Sequence, residues 1–255
     1  MVVVIIDFDN YFHDIKGIDD SPKFELALTE IVEECEKNFK NFNEISIRLY
    51  GGWYQETTLT KQASIIQQLL SQVSVFPKVK DNKIKGTIEM VSSLFEIPDV
   101  KWHYTYKVKN GIGRVRIDHD IVDEFCTENK HQCPKYVLYK FTEKKDKQCH
   151  IPNCTHIHKD VFKRIEQKMV DTMIACDIVS VIKDENVKGV FVLSDDQDHF
   201  PSYALASKLL KERFKEREAE SFSIILGVTN NYGERNIFIS NLLNPFDNIK
   251  IIPML

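Results

Sequence analysis

The stretch that decides the fold is residues 2–10, which read VVVIIDFDN. Residues 2–6 are an unbroken run of β-branched side chains, and such a run is typical of a strand buried on both faces. The run ends abruptly in the polar residues Asp7, Asp9 and Asn10. The pattern therefore predicts a central parallel strand whose carboxyl end carries acidic side chains.

A second apolar strand with the same kind of ending is predicted at Gly189–Leu193, directly before the polar sequence SDDQD. Apolar periodicities of strand and helix alternate around these two strands. Strands are predicted at 45–50, 222–228 and 249–252, and helices at 24–39, 60–73, 162–182, 201–215 and 235–243, with lysine-rich residues 76–86 as a mobile loop. This alternation indicates an α/β fold, a mainly parallel sheet covered by helices on both faces.

The chain has 255 residues, of which 43% are hydrophobic, and a formal net charge of −4. This size fits one domain over residues 1–255, carrying an inserted segment at 126–160. The acidic balance argues against a wholly basic surface that coats nucleic acid. Because no secretory signal and no apolar run of about 18 residues is present, we expect a cytoplasmic protein that contacts no membrane and keeps its cysteines reduced.

The acidic strand ends are candidate ligands for a metal ion. The carboxyl ends of parallel strands line one crevice, so Asp7 and the acidic residues Asp195, Asp196 and Asp198 are expected to converge there. Crowded carboxylates repel one another unless a cation compensates, and hard oxygen ligands favour Mg²⁺ or Mn²⁺. The alternative is that these aspartates are ordinary turn residues at strand ends.

A third polar motif, KMVDTMIACD, covers residues 168–177. Lys168 and Asp171 share a helix face, so one could hold a metal while the other meets phosphate. Asp177 lies roughly 120° further around the helix and is interpreted as a structural or supporting residue. His199 is interpreted as a partly exposed residue at a helix start, with a substrate contact as the alternative.

These motifs resemble the NYN domains, a branch of the PIN-like nuclease superfamily that includes LabA-like proteins. The strand ending in Asp7 and Asn10 is similar to the family's apolar strand ending in Asp-x-x-Asn, and the second and third motifs are similar to its Lys-Gly-Val-Asp and Ser-Gly-Asp-x-Asp-Phe segments. Three positions depart from the pattern: Met169 and Asp195 replace glycines, and His199 replaces phenylalanine.

The resemblance implies a PIN-like, Rossmann-like fold and a Mg²⁺- or Mn²⁺-dependent ribonuclease that hydrolyses RNA phosphodiester bonds. It implies single-stranded or tRNA-like RNA as the partner, and it leaves open whether the chain forms a homo-oligomer. The implied metal ligands and catalytic residues are Asp7, Asp171, Asp196 and Asp198, with Asn10 beside them. Ser194 would orient the acidic turn at the substrate, and the spacing of Lys168 from Asp171 makes Lys168 a candidate for binding the substrate.

Cysteine and histidine dominate the predicted insertion. Cys133, Cys149, Cys154 and His158 follow the spacing C-x15-C-x4-C-x3-H. Three thiolates and an imidazole make a closed, structural Zn²⁺ site, and the segment resembles a CCCH zinc finger. His150 or His156 could replace His158, and scattered thiols in a lysine-rich loop are the alternative to zinc. Cys35 and Cys176 are interpreted as helix core residues.

The same region is locally basic. From residue 128 to 168 there are nine lysines and one arginine against five acidic residues. Lys144, Lys145 and Lys147 could hold RNA by phosphate contacts, next to stacking aromatic side chains. A solvated lysine face around a zinc knuckle explains the same charges.

Two other functions compete with the ribonuclease. A haloacid-dehalogenase-like phosphatase would use Asp7 as its nucleophile and Asp9 as its general acid. A catalytically inactive RNA-binding module would keep the fold without turnover.

Overall fold

The strands form one large sheet and two small ones in the computed structural model. They are β1 (Val2–Asp7), β2 (Glu44–Tyr50), β3 (Tyr54–Gln55), β4 (Thr58–Leu59), β5 (Lys78–Val79), β6 (Ile84–Met90), β7 (Tyr106–Asn110), β8 (Lys163–Gln167), β9 (Gly189–Leu193), β10 (Ser223–Thr229) and β11 (Ile249–Met254). The large sheet has the order β11-β10-β9-β1-β2-β6-β5, while β3 pairs with β4 and β7 with β8. All neighbours in the large sheet are parallel except β5, which runs antiparallel to β6.

The structure describes residues 1–15, 17–73, 78–79, 84–111, 128–143, 148, 152–213, 223–229, 241–243 and 246–254, with backbone alone at 78–79, 140–143, 158 and 229. The chain divides into two units, one of Met1–Tyr106 with Gln167–Leu255 and the other of Lys107–Glu166. The segment 126–160, predicted as an insertion, belongs to the second unit.

Seven α-helices accompany the strands in the described part of the chain. They are α1 (Phe8–Tyr11), α2 (Ser21–Asn38), α3 (Lys61–Gln72), α4 (Pro134–Glu143), α5 (His158–Val161), α6 (Val170–Ser180) and α7 (Phe200–Arg213), of which α4 and α5 belong to the second unit. The start of α3 is capped by Thr60, whose hydroxyl accepts a hydrogen bond from the N–H of Ala63. No helix among the described residues combines the length and the apolar character needed to cross a membrane.

Helices cover the large sheet on both faces, and the side chains of β1 alternate between the two hydrophobic cores that result. Val2, Val4 and Ile6 pack into one core with residues of α2 and α3. Val3 and Ile5 pack into the other with residues of α6 and α7. All six residues of β1 are buried, as its unbroken apolar run predicts. The predicted α/β fold class is confirmed.

The strand order creates a crevice beside β1. The chain passes from β1 to β2 and β6 on one side, then returns to place β9 against the other side of β1 and continues to β10 and β11. The direction of winding therefore reverses between β1 and β9, and in open α/β sheets ligands bind at the carboxyl ends of strands where this reversal occurs. Asp7 ends β1 at this point, and Ser194 follows β9.

Two predicted elements are wrong. The predicted loop at 76–86 instead contributes Lys78–Val79 to β5 and residues 84–86 to the start of β6. In β6, Ile84 and Gly86 are buried while Lys85 is exposed. The predicted helix over 162–182 starts only at Val170, and residues 163–167 form β8 instead. Met169 has a φ of 65°, and this left-handed backbone conformation ends any helical continuation upstream.

Candidate metal centre at the carboxyl edge of the sheet

Asp7 is held at the end of β1 by two side chains from separate parts of the sequence. The amide of Asn10 donates a hydrogen bond to its Oδ2, and the hydroxyl of Ser194 donates another to the same oxygen over 3.3 Å. Burial raises the pKa of Asp7, and the bond from Asn10 opposes that rise. Of the nearby charges, His199 lowers the pKa of Asp7 and Asp171 raises it.

Asp171 approaches from the start of α6. It lies in the first turn of that helix, where the positive end of the helix dipole favours a carboxylate. Its side chain is exposed, in contrast to that of Asp7. The left-handed Met169 immediately before the helix sets the direction in which this first turn begins.

His199 is the third member of the site, and the expectation that it is partly exposed is wrong. It ends a short 3₁₀ turn, Gln197–His199, directly before α7, and its exposed fraction is 0%. Neither ring nitrogen has a hydrogen-bond partner among the described residues.

Asp7, Asp171 and His199 form a group that could hold a metal ion. One ligand atom from each residue lies within 4.8 Å of those of the other two. Two carboxylates at this distance repel one another, and a buried imidazole without a partner loses its hydration without replacement. A divalent cation between the three residues would compensate for both effects, so the donor set fits such an ion.

The acidic turn after β9 is built around Ser194 and Asp196. The N–H of Asp196 donates to the hydroxyl of Ser194 over 3.1 Å, and Oδ1 of Asp196 accepts from the N–H of Asp198 over 2.9 Å, which caps the 3₁₀ turn. Asp196 is half-buried, whereas Asp198 is exposed. The structure does not bring either carboxylate into the group formed by Asp7, Asp171 and His199.

Two other predicted residues lie in the same unit. Both carboxylate oxygens of Asp9 accept hydrogen bonds from glutamine amides, one from Gln62 over 2.6 Å and one from Gln167. Lys168 is exposed, and its backbone N–H donates to the carbonyl of Thr105 over 3.0 Å. Lys168 thus stands three positions before Asp171, at the approach to α6.

Tyr203 belongs to the surroundings of the site, although sequence reasoning missed it. Its ring centre lies 6.5 Å from that of His199, and its buried hydroxyl has no hydrogen-bond partner among the described residues. Burial and the charges of Asp7 and Asp196 raise the pKa of Tyr203. The available signal was its position four residues after His199, at a helical spacing.

Asp177 takes part in a buried polar network. Its carboxylate accepts hydrogen bonds from the hydroxyl of Tyr50 and, over 2.8 Å, from the N–H of Phe95, and it forms an ion pair of 3.1 Å with Arg48. Nε of Arg48 in turn donates to the hydroxyl of Tyr50 over 3.0 Å. Burial raises the pKa of Asp177 and outweighs these contacts, which act in the opposite direction.

The predicted zinc ligands are only partly described. Cys133 is buried just before α4, and Cys154 is half-buried. Cys149, the side chain of His158 and the alternative ligand His150 lie outside the described residues, as do Lys144, Lys145 and Lys147. Outside this segment, Cys35 is buried as predicted, but Cys176 is exposed on α6, so its interpretation as a core residue is wrong.

Comparison with known proteins does not assign the chain to a family. No model of a protein family matches the sequence, and no curated protein matches it.

Proposed function

We propose that this chain is a metal-dependent ribonuclease that hydrolyses RNA phosphodiester bonds at the group formed by Asp7, Asp171 and His199. The observation that carries the proposal is the place of this group. Its three potential ligands come from distant parts of the sequence and meet at the carboxyl edge of the sheet, beside the reversal in strand order. Such a position is where open α/β sheets bind ligands.

The likeness of three motifs to those of NYN domains supports the nuclease class. Two residues that the likeness assigns to the metal, Asp7 and Asp171, are in the group, and Ser194 and Asn10 hold Asp7 in place. A bound divalent cation would polarise a phosphoryl oxygen and lower the pKa of a water molecule. RNA is the partner in this proposal. The proposal also includes a structural Zn²⁺ ion bound by the second unit.

The side chains around the group have distinct roles in this proposal. Asn10 and Ser194 orient the carboxylate of Asp7, so its lone pairs stay directed toward the ion. Lys168, exposed near the start of α6, holds a phosphate of the substrate as a point charge. Asp196 shapes the acidic turn by capping it, and its half-buried carboxylate contributes negative charge beside Tyr203.

The environment of Asp9 favours the ribonuclease over the phosphatase. A phosphatase of the haloacid dehalogenase type would need Asp9 to deliver a proton to the leaving group. Burial raises the pKa of Asp9, and the hydrogen bond from Gln62 opposes that rise. Both oxygens of Asp9 are already occupied as acceptors of hydrogen bonds from Gln62 and Gln167, so neither is placed to donate a proton to a leaving group. In the ribonuclease proposal Asp9 has no role in the reaction.

The experiment is an assay of the purified chain on labelled single-stranded RNA, structured RNA and DNA, with Mn²⁺, with Mg²⁺ or with a chelator. We expect RNA cleavage that needs the divalent ion. Asp171→Asn should lower the rate at least about 100-fold, because it removes a metal ligand, while the matched variant Asp9→Asn should stay within about 3-fold of the wild type.

Intact RNA under all ionic conditions would contradict the proposal. A phosphoenzyme trapped on Asp7, together with loss of turnover in Asp9→Asn, would support the phosphatase instead. RNA binding without cleavage would support the inactive RNA-binding module.

A further inference from the structure

His199 distinguishes this site from one made only of carboxylates. Its ring is completely buried, both nitrogens lack a hydrogen-bond partner among the described residues, and one of them faces the carboxylates of Asp7 and Asp171. Burying an imidazole without a partner is unfavourable, because the ring gives up its hydrogen bonds to water. The buried imidazole without a partner is an observation independent of the acidic residues, and it points to a ligand between the three side chains.

The carboxylates of Asp7 and Asp171 do not serve as hydrogen-bond partners of the two ring nitrogens of His199. No hydrogen bond links His199 to Asp7 or Asp171 in the described structure, although their ligand atoms lie within 4.8 Å of one another. Two ligands bound to one ion at about 2.1 Å each lie no more than about 4.2 Å apart. The spacing is therefore close to that of three ligands around a common ion.

The backbone around His199 holds the residue in this position. Its carbonyl accepts a hydrogen bond of 2.6 Å from the hydroxyl of Ser202, in the first turn of α7. Phe200, the next residue, packs with Tyr203 into the same core as α6, which carries Asp171. The ring is thus placed by a packed helix start rather than by an exposed turn.

A nitrogen donor changes which ion the site prefers. Mg²⁺ binds oxygen ligands almost exclusively and keeps several waters, whereas imidazole is a good ligand for transition-metal ions. Mn²⁺ accepts both carboxylate and imidazole ligands. A site of two carboxylates and one imidazole should therefore select against Mg²⁺.

We propose that His199 is a direct metal ligand and that the site of Asp7, Asp171 and His199 takes a transition-metal dication, such as Mn²⁺, in preference to Mg²⁺. This inference rests on the metal site of the proposed function but not on RNA as the substrate.

Mn²⁺ binding to the purified full chain tests the inference without any measurement of activity. Electron paramagnetic resonance gives the affinity for Mn²⁺, competition with Mg²⁺ gives the preference, and electron spin echo modulation detects a nitrogen nucleus bound to Mn²⁺. We expect a nitrogen signal in the wild type, its loss in His199→Phe, and a drop of at least about 10-fold in the Mn²⁺ to Mg²⁺ affinity ratio.

His13 provides a matched control, because it is an exposed histidine in the same unit. His13→Gln should keep both the signal and the ratio. Circular dichroism establishes that His199→Phe is folded, and if it is not, His199→Gln takes its place with the same expected losses. A nitrogen signal and a ratio that survive in a folded His199 variant would overturn the inference, as would a wild type that does not bind Mn²⁺.

The two proposals fail in different ways. Nitrogen-coupled Mn²⁺ that depends on His199, without RNA cleavage, upholds the metal ligand and contradicts the ribonuclease. Cleavage supported equally by Mg²⁺ and Mn²⁺, with unchanged Mn²⁺ binding in His199→Phe, upholds the ribonuclease and overturns the role of His199.

Discussion

The hydroxyl of Ser194 donates a hydrogen bond of 3.3 Å to the carboxylate of Asp7, and so connects the ends of β9 and β1 across the crevice of the sheet. The same hydroxyl accepts a bond of 3.1 Å from the N–H of Asp196. The single hydroxyl group of Ser194 therefore orients the proposed metal ligand Asp7 and also holds the start of the acidic turn.

Ser194→Ala should weaken Mn²⁺ binding about 10-fold, because partners that orient a ligand commonly contribute that much to metal affinity. The matched variant Ser194→Thr keeps the hydroxyl and should stay closer to the wild type. Titration of each variant with Mn²⁺ measures the effect. Equal affinity of the alanine variant and the wild type would mean that Asn10 alone orients Asp7.

Asp7→Asn should abolish stabilisation by Mn²⁺ without lowering the stability of the metal-free protein. Burial raises the pKa of Asp7, so the ionised carboxylate is unfavourable in the folded protein without a cation. With a chelator, the variant should be at least as resistant to thermal unfolding as the wild type. Mn²⁺ at about 100 times its Kd should stabilise the wild type by about 2.7 kcal/mol and leave the variant unchanged.

Calorimetry with the chelator and with Mn²⁺ measures both parts of this prediction. A wild type whose melting temperature does not respond to Mn²⁺ would contradict it. A variant that responds as strongly as the wild type would show that the ion binds elsewhere.

Asp177→Asn should destabilise the fold rather than the site. The substitution removes the buried partner of Arg48, which keeps its ion pair with the half-exposed Glu89, so the loss should be about 1–3 kcal/mol. Unfolding in urea measures the loss. Glu185→Gln, an exposed change in the same unit, should alter the free energy of unfolding by less than about 0.5 kcal/mol.

Mn²⁺ affinity in the folded Asp177→Asn variant should match that of the wild type, since Asp177 is not a member of the metal group. A variant that is stable but binds Mn²⁺ poorly would assign Asp177 to the metal centre.

The central strands were predictable because their sequence pattern is unusual. β1 and β9 are short, continuous apolar runs rich in β-branched residues, and this composition and length favour a strand buried on both faces. β6 alternates between inward and outward side chains, which is a strand pattern, but the prediction of a loop rests on the lysines of residues 76–86, and the pairing of β6 with β2 is a tertiary contact. β8 was missed because its short pattern merges with the periodicity of the helix that follows.

The site was predictable only in part for a similar reason. Asp7 follows from its position at the end of an apolar strand, and Asp171 from its spacing to Lys168 and from the resemblance of its motif. His199 and Tyr203 acquire their importance through burial, and burial depends on how α7 packs against the sheet. A histidine within a run of aspartates looks like an exposed residue until that packing is known.

The predicted structural zinc leads to a chemical test of the second unit. The full chain, purified without chelators, should contain about one Zn²⁺, and Cys149→Ser should lower that content because a ligand is lost. Cys176→Ser, which changes an exposed cysteine on α6, should leave the content unchanged. Elemental analysis measures all three proteins, and a wild type without zinc would contradict the prediction.

Met169 carries a strain that its replacement should relieve. Its φ of 65° lies in the left-handed region, where a side chain costs roughly 1–2 kcal/mol and glycine costs nothing. Glycine loses more conformational entropy on folding, which offsets part of this relief, so the free energy of unfolding of Met169→Gly should lie about 0.5–1 kcal/mol above that of Met169→Ala. Met169 is 36% exposed, so removal of its side chain also gives up part of its packing, and the effect of the backbone is measured against Met169→Ala, which loses the same contacts.

Met169→Ala is the matched control, because alanine removes the long side chain but keeps the Cβ atom that causes the strain. Urea unfolding of the two variants should therefore show a higher free energy of unfolding for the glycine variant than for the alanine variant. An equal change in both variants would mean that packing of the methionine side chain, and not the backbone conformation, decides stability at the start of α6. Mn²⁺ affinity should be the same in both, since glycine accepts the backbone conformation that already places Asp171.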